Sequence, residues 1–305
     1  MDFGGWAVES ASRIKSDGVD GIRGSVRPVY HKGLQIVSDM RSPGIPIYRR
    51  DWDLLIIVDA CRLDLMQEVA HSYEYISDVD TVRSLDSMTL LWMRKNFTPE
   101  WAEVMGETAY VCGNPFSRDA LDANEFLELD EVWRYAWKAP GTVPPRAITD
   151  RTIEVARTRK PDRLIVHYMQ PHCPFLSRPN LTRGKQLDEF GNQAWRDVWQ
   201  KLRDGDLTRE EVWTGYRENL ELVLDDISVL LQNVDAELAI ISSDHGNSLG
   251  EWLVYGHPPN MPHDCLRVVP WIETSAVDRG THEPTTYETE VSIDRDEQLA
   301  ALGYA

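Results

Sequence analysis

The sequence predicts an α/β fold, with a mainly parallel central sheet flanked by helices. Three observations predict it. Short apolar runs rich in branched residues, residues 54–58 foremost, stand between charges or turn formers, as do strands buried on both faces. Amphipathic helical stretches alternate with these runs, which is the order of a parallel sheet with helical crossovers. The chain has 305 residues, 42% of them hydrophobic, enough for one sizeable core.

Residues 1–50 read as an N-terminal extension of helical pieces broken by Gly-rich turns, ending in the linker RSPGIPIY. DWDLLIIVDA then supplies the first buried strand, and residues 63–70 suit the helix after it. A weaker strand is expected at 73–79 and a helix at 88–96. TAYVCG, at 108–113, reads as a strand entering a Gly-Asn-Pro turn. A helix at 146–159 precedes the strand RLIVHYM at 163–169. Thr208 and Glu211 have capping-box spacing. After them Val212, Tyr216, Leu220, Val223, Leu224, Ile227, Leu230 and Leu231 recur at helical intervals. ELAIISSDHG is another short buried strand, LRVVPWIE at 266–273 a further one, and a helix near 294–302 closes the chain. Residues 113–145 and 176–206 read as irregular insertions in one domain spanning 51–305. Repeats and low-complexity segments are absent from the sequence.

Composition narrows the function. Fifty acidic against 32 basic residues leave a formal charge of -18, which repels phosphate backbones and argues against nucleic-acid binding. Only seven of the basic residues are lysines, and an acid-rich, lysine-poor surface is the expected adaptation of a salt-loving source. Cys61, Cys112, Cys173 and Cys265 are far apart and form no CxxC pair, which fits reduced thiols in a cytoplasm. No run of 18 apolar residues suits a membrane span, and MDFGGWAVESASRIK lacks a signal-peptide core. The sequons at Asn96 and Asn180 occur no more often than chance supplies them. A cytoplasmic enzyme is therefore expected.

Ligands of parallel sheets bind at the carboxyl ends of strands, so the residues that end the strands matter most. The first strand ends in Asp59. The strand at 163–169 ends near His167 and runs into MQPHCPF, which contains His172. ELAIISS ends in Asp244 and His245, and YGHPPNMPHD follows with His257 and His263. Carboxylates mixed with imidazoles in this position are the donor set of a catalytic divalent metal.

These segments resemble the sulfatase-like hydrolases of the alkaline phosphatase superfamily. IIVDACRLDLM is similar to that group's opening strand, with Arg62 and Asp64 as the R-x-D that often follows the metal-binding Asp. SSDHGNSLGEW resembles its later Asp-His metal motif, and HYMQPHCPF its PHxP segment, whose His faces substrate. GHPPN with LRVVPWI resembles the distal His segment, and EQLAALGYA the last helix. The matches run in family order from residue 54 to 305.

The resemblance implies a first metal site of Asp59, Asp244 and His245, shared with the oxygen of a nucleophile. The nucleophile lies some tens of residues after the first Asp, at a helix N-terminus, where backbone amides stabilise a developing oxyanion. SLDSMTLLW, at 84–92, is the candidate segment, with Thr89 preferred and Ser87 as the alternative nucleophile or a helix cap. Leu91 departs from the Pro or acidic residue often found there. Cys61 is followed by Arg-Leu-Asp-Leu, so the modification signal of true sulfatases, C-x-P-x-R or C-x-A-x-R, is missing. Cys61 therefore reads as a small core residue, and the chain points to the Ser/Thr branch that handles phosphate esters.

His167, His172 and His257 are the histidines implied for a second metal or for gripping substrate oxygens. One ion is preferred to two, because Gln170 stands where a further Asp is expected. Arg62 either binds an anionic oxygen or pairs with Asp64, and His263 is read as a neighbour. The expected activity is hydrolysis of phosphate mono- or diesters, or sulfate esters, through Thr89, with a divalent Mn, Zn, Mg or Ca ion. The substrate is a small-molecule, glycan-linked or lipid-linked anionic ester. The alternatives are a phosphotransferase acting on a lipid or glycan, and a non-catalytic metal-binding relative.

Overall fold

The structure, a computed structural model, describes residues 26–41, 43–181 and 196–287. Among these residues nine strands follow in chain order: β1 Leu54–Asp59, β2 Asp80–Arg83, β3 Thr108–Cys112, β4 Glu128–Glu131, β5 Arg163–Pro171, β6 Ala236–Ser242, β7 Ser248–Leu249, β8 Tyr255–Gly256 and β9 Val268–Ala276. Seven form the central sheet in the order β2-β9-β6-β1-β5-β3-β4, and β7 and β8 form a small hairpin. β6, β1, β5, β3 and β4 are mutually parallel, while β9 runs against both β6 and β2. The mainly parallel, helix-flanked sheet expected from the sequence is the one observed.

β1 is the centre of the sheet, and all six of its residues are buried. Its side chains alternate between the two faces, as the strand period of two demands. Leu54, Ile56 and Val58 pack with Ile148 and Ile153 of helix Pro145–Arg159 and Val223 and Ile227 of helix Arg209–Leu231. Leu55 and Ile57 pack on the other face with Trp92 and Met93 of helix Thr89–Asn96. A strand covered on both faces has no solvent side, which is why its sequence is a continuous apolar run rather than an alternation. Thr208 and Glu211 make the reciprocal capping box that starts helix Arg209–Leu231.

The structure departs from the expected elements in several places. Residues 73–79 form no strand. The Tyr73 and Tyr75 hydroxyls instead donate to the carbonyls of Glu221 and Leu224, so the aromatic residues tie this loop to the long helix. The strand follows as β2, half exposed at the sheet edge. β4 lies inside the segment read as an irregular insertion, and its partly exposed residues show why: an edge strand carries no buried apolar run. β5 continues past 169 to Pro171, so His167 is inside the strand rather than at its end. A helix covers 26–39 of the N-terminal extension, while the helix expected at 294–302 and the EQLAALGYA motif lie outside the described residues. Among the described residues, no helix is long and apolar enough to cross a membrane.

Candidate metal centre

β6, β1 and β5 are neighbours and parallel, so their carboxyl ends open on one edge of the sheet. Asp59 closes β1, and Asp244 and His245 follow β6. Ligand atoms of these three buried side chains lie within 4.8 Å of one another, although 184 residues separate Ala60 from its partner Asp244.

The chain holds the group with backbone and polar partners. Asp244 Oδ1 accepts from the amides of Ala60 and His245, both at 2.9 Å. Ala60 adopts φ 61°, a conformation that L residues rarely take, and its carbonyl accepts from the Tyr216 hydroxyl. Asn114, in the turn after β3, donates to Asp59 Oδ2 at 2.6 Å. His245 engages the Gly246 carbonyl through Nδ1 at 2.8 Å, which leaves Nε2 to face Thr89 Oγ1 at 3.1 Å. Gly246 is required by close approach: a Cβ there would overlap the Cys265 carbonyl oxygen. Thr89 itself begins helix Thr89–Asn96.

Among the described residues, two buried oxygens, Asp59 Oδ1 and Asp244 Oδ2, have no hydrogen-bond partner, and His245 Nε2 lies 3.4 Å from the latter. Orphaned carboxylate oxygens at zero to 2% exposure are costly unless a cation satisfies them. Burial, and then the Asp244 charge, raise the Asp59 pKa well above its usual value against the pull of Asn114. Burial acts on Asp244 in the same direction, but His245, His167 and the Ala60 amide outweigh it and keep that carboxyl acidic. Two carboxylates, one imidazole nitrogen and a hydroxyl oxygen form a donor set that fits a divalent ion.

Across the site, His172 Nε2 and His257 Nε2 are 3.0 Å apart, with the His257 and His245 rings stacked at 4.5 Å. Burial lowers the pKa of His172, yet Cys173 and the Asp197 carboxylate override it and push it up to about 9. His257 moves the other way, held well below its usual value by burial and by His245 and His172. One ring of the pair is thus the proton donor and the other the acceptor. The segment carrying His172 is fixed by Asn219 of the long helix, whose Nδ2 donates to the carbonyls of Pro171, His172 and Pro174. A cavity of about 170 Å³ opens over the group, lined by Asp59, Thr89, Asn114, His172 and His257 and walled by Phe116, Trp137 and Met169.

Other residues singled out from sequence are placed elsewhere. Ser87 neither faces the carboxylates nor caps the helix; its hydroxyl donates to Pro258 O at 2.6 Å and accepts from Met261 N at 2.9 Å. Of the two expectations for Arg62, anion binding or pairing with Asp64, the structure has the pairing. Arg62 pairs with Asp64 at 2.6 Å and Glu251 at 3.0 Å, donates to Asn247 O at 2.8 Å, and does not line the cavity. His167 is also outside the cavity wall: it is wholly buried, 2.8 Å from the Tyr110 hydroxyl, and burial lowers its pKa to about 4. Cys61 belongs to the apolar core, with its thiol pushed well up by burial. His263 packs against Trp252, with ring centroids 4.5 Å apart and the planes tilted by 57°.

Sequence reasoning missed Asn114, Asn219 and the cavity wall. Asn114 lies in the turn just after a recognised strand, and that position was its only signal. Asn219 sits at an apolar phase of helix Arg209–Leu231, and a wholly buried Asn there marks a polar task.

No family model matches the chain, and no curated protein matches it by sequence. Solved structures do resemble it. The soluble domain of lipooligosaccharide phosphoethanolamine transferase A from Neisseria meningitidis aligns with a TM-score of 0.50 and 15% identity, over 73% of this chain and 75% of that one. The periplasmic domain of the phosphoethanolamine transferase EptC from Campylobacter jejuni aligns at 0.44 and 14%, over 73% and 78%. A putative sulfatase from Bacteroides thetaiotaomicron aligns at 0.45 and 12%, over 72% and 63%. At these identities the first likeness shows a shared fold.

Proposed function

We propose that this chain cleaves phosphate esters by way of a covalent intermediate on Thr89. The observation that carries the reading is Thr89 Oγ1 at 3.1 Å from His245 Nε2, at a helix start, beside two carboxylates with orphaned oxygens. Asp59, Asp244 and His245 would hold one divalent ion, with Thr89 completing the set. Such an ion lowers the pKa of a nearby hydroxyl and neutralises charge on the transferred group.

The residues of the chain then divide the work. Thr89, its hydroxyl proton already lost to solvent, attacks phosphorus through Oγ1, and the ester oxygen departs with its electron pair. His172, protonated at neutral pH, donates the proton that the departing oxygen needs. His257, neutral beside it, can take the proton back when the next hydroxyl attacks. That second attack breaks the phosphorus–Thr89 bond and returns the Thr89 alkoxide, and the proton then passes from His257 Nε2 to His172 Nε2, 3.0 Å away, which restores the enzyme. Asn114 keeps Asp59 oriented, and Asn219 keeps His172 facing the cavity. Water as the second nucleophile makes the enzyme a hydrolase, and an alcohol makes it a transferase. The likeness to the Neisseria meningitidis phosphoethanolamine transferase supports the transferase reading. Cys61 lies in the core and not on the cavity, which supports phosphate over sulfate esters.

The test is a screen of purified protein against aryl phosphates, phosphodiesters and sulfates, with Mn, Zn, Mg or Ca. Turnover of a phosphate ester, lost by at least about a thousandfold in Thr89→Ala, is expected. Full turnover in Thr89→Ala contradicts the reading.

A further inference from the structure

A second cavity, of about 270 Å³, adjoins the first and shares Asp197 and His257 with it. Its other walls include Arg27, Arg203, Gln200 and Tyr255. Arg27 comes from helix 26–39 and Arg203 from helix Val198–Asp204, so two separate elements aim guanidinium groups at one space. We propose that this cavity is a second anion subsite, which takes a phosphate-like group on the substrate remote from the reacting ester. The proposal rests on the reading of Thr89 and its neighbours as the reaction site.

Three observations carry it. The first is adjacency: His257 and Asp197 line both cavities, so the arginine cavity lies beside the one that holds Thr89. The second is charge. In a chain of formal charge -18, two arginines flank a cavity whose one acidic lining residue, among those described, is Asp197. Asp197 has other work, since its Oδ1 accepts from Gln200 N at 2.7 Å and its charge supports the His172 proton. The third is the cost of the arrangement. Burial and then the charge of Arg203 lower the Arg27 pKa, with Asp204 as partial relief. Arg203 commits Nε and Nη2 to Asp204 at 2.6 and 3.0 Å, and Nη1 makes no hydrogen bond to any described residue. An oxyanion between the guanidinium groups removes their repulsion and supplies acceptors in the geometry that arginine favours.

The probe is inorganic phosphate, titrated by calorimetry into metal-free protein, which lacks the cation that would draw an anion to the reaction site. Saturable binding is expected, weakened at least tenfold by Arg27→Gln with Arg203→Gln, in a protein whose melting temperature is unchanged. Absence of binding, or equal binding in the double variant, overturns the subsite. A second readout uses the loaded enzyme and two esters that differ by a remote phosphate. The ratio of their KM values should move about tenfold toward unity in the double variant, while an unchanged ratio overturns the proposal. If no ester is turned over, the reading of Thr89 fails, and the phosphate titration still decides the subsite.

Discussion

Asp244 serves the site through both of its oxygens. Oδ1 ties the turn after β1 to the turn after β6 through two backbone amides, and Oδ2 is left for a cation. Asp244→Asn keeps the shape and removes the charge. It should abolish turnover and weaken binding of one equivalent of zinc, measured by competition with a chromophoric chelator, while the fold persists. Retention of zinc affinity would count against the metal centre. Gly246 works through absence of a side chain, since any Cβ collides with the Cys265 carbonyl. Gly246→Ala should therefore displace His245 and lower both stability and activity. Asn219 is the remote support. Its replacement by Ala leaves three carbonyl acceptors unpaired, at a cost of about 1–3 kcal/mol, read as a lower midpoint in urea. Turnover should fall as well, because His172 loses its anchor.

The β7–β8 hairpin is the element that joins the distal histidine to the sheet. Glu251, between its strands, pairs with Arg62 at 3.0 Å and Arg209 at 3.0 Å and accepts from Leu249 N at 2.6 Å. Burial raises its pKa, but Arg62 and the backbone donors overcome this and bring it down to about 2 from 4.5. A carboxyl depressed on folding stabilises the protein above its unfolded pKa, and that stability is lost as pH falls through the folded one. Denaturant stability should thus decline between about pH 4.5 and 2, with a flatter decline in Glu251→Gln. Equal slopes in the two proteins would remove Glu251 from the hairpin's support. Arg62, placed between Asp64 and Glu251, ties the turn after β1 to this hairpin.

At the scale of the molecule, the central strands were legible because a strand covered on both faces must be an apolar run, as in residues 54–58. The ends of β1 and β6 located Asp59, Asp244 and His245 for the same reason. β2 and β4 were missed or misplaced because edge strands carry no such run, and Tyr73 and Tyr75 have strand-like side chains spent on a helix. The choice between Ser87 and Thr89 was open in the sequence, since either hydroxyl suits a helix start. Packing separates them: Ser87 braces the 258–261 loop, and Thr89 faces His245. Asn114 and the two-arginine cavity arise from segments far apart in the chain, which no local pattern brings together.

The central claim is that Thr89 carries the transferred group. Its most direct measurement is peptide mass spectrometry of the metal-loaded enzyme, quenched during turnover of an aryl phosphodiester. The predicted result is a phosphoryl adduct on Thr89 that disappears as substrate runs out. Steady turnover with no adduct at Thr89, or with the adduct on another residue, would contradict the account.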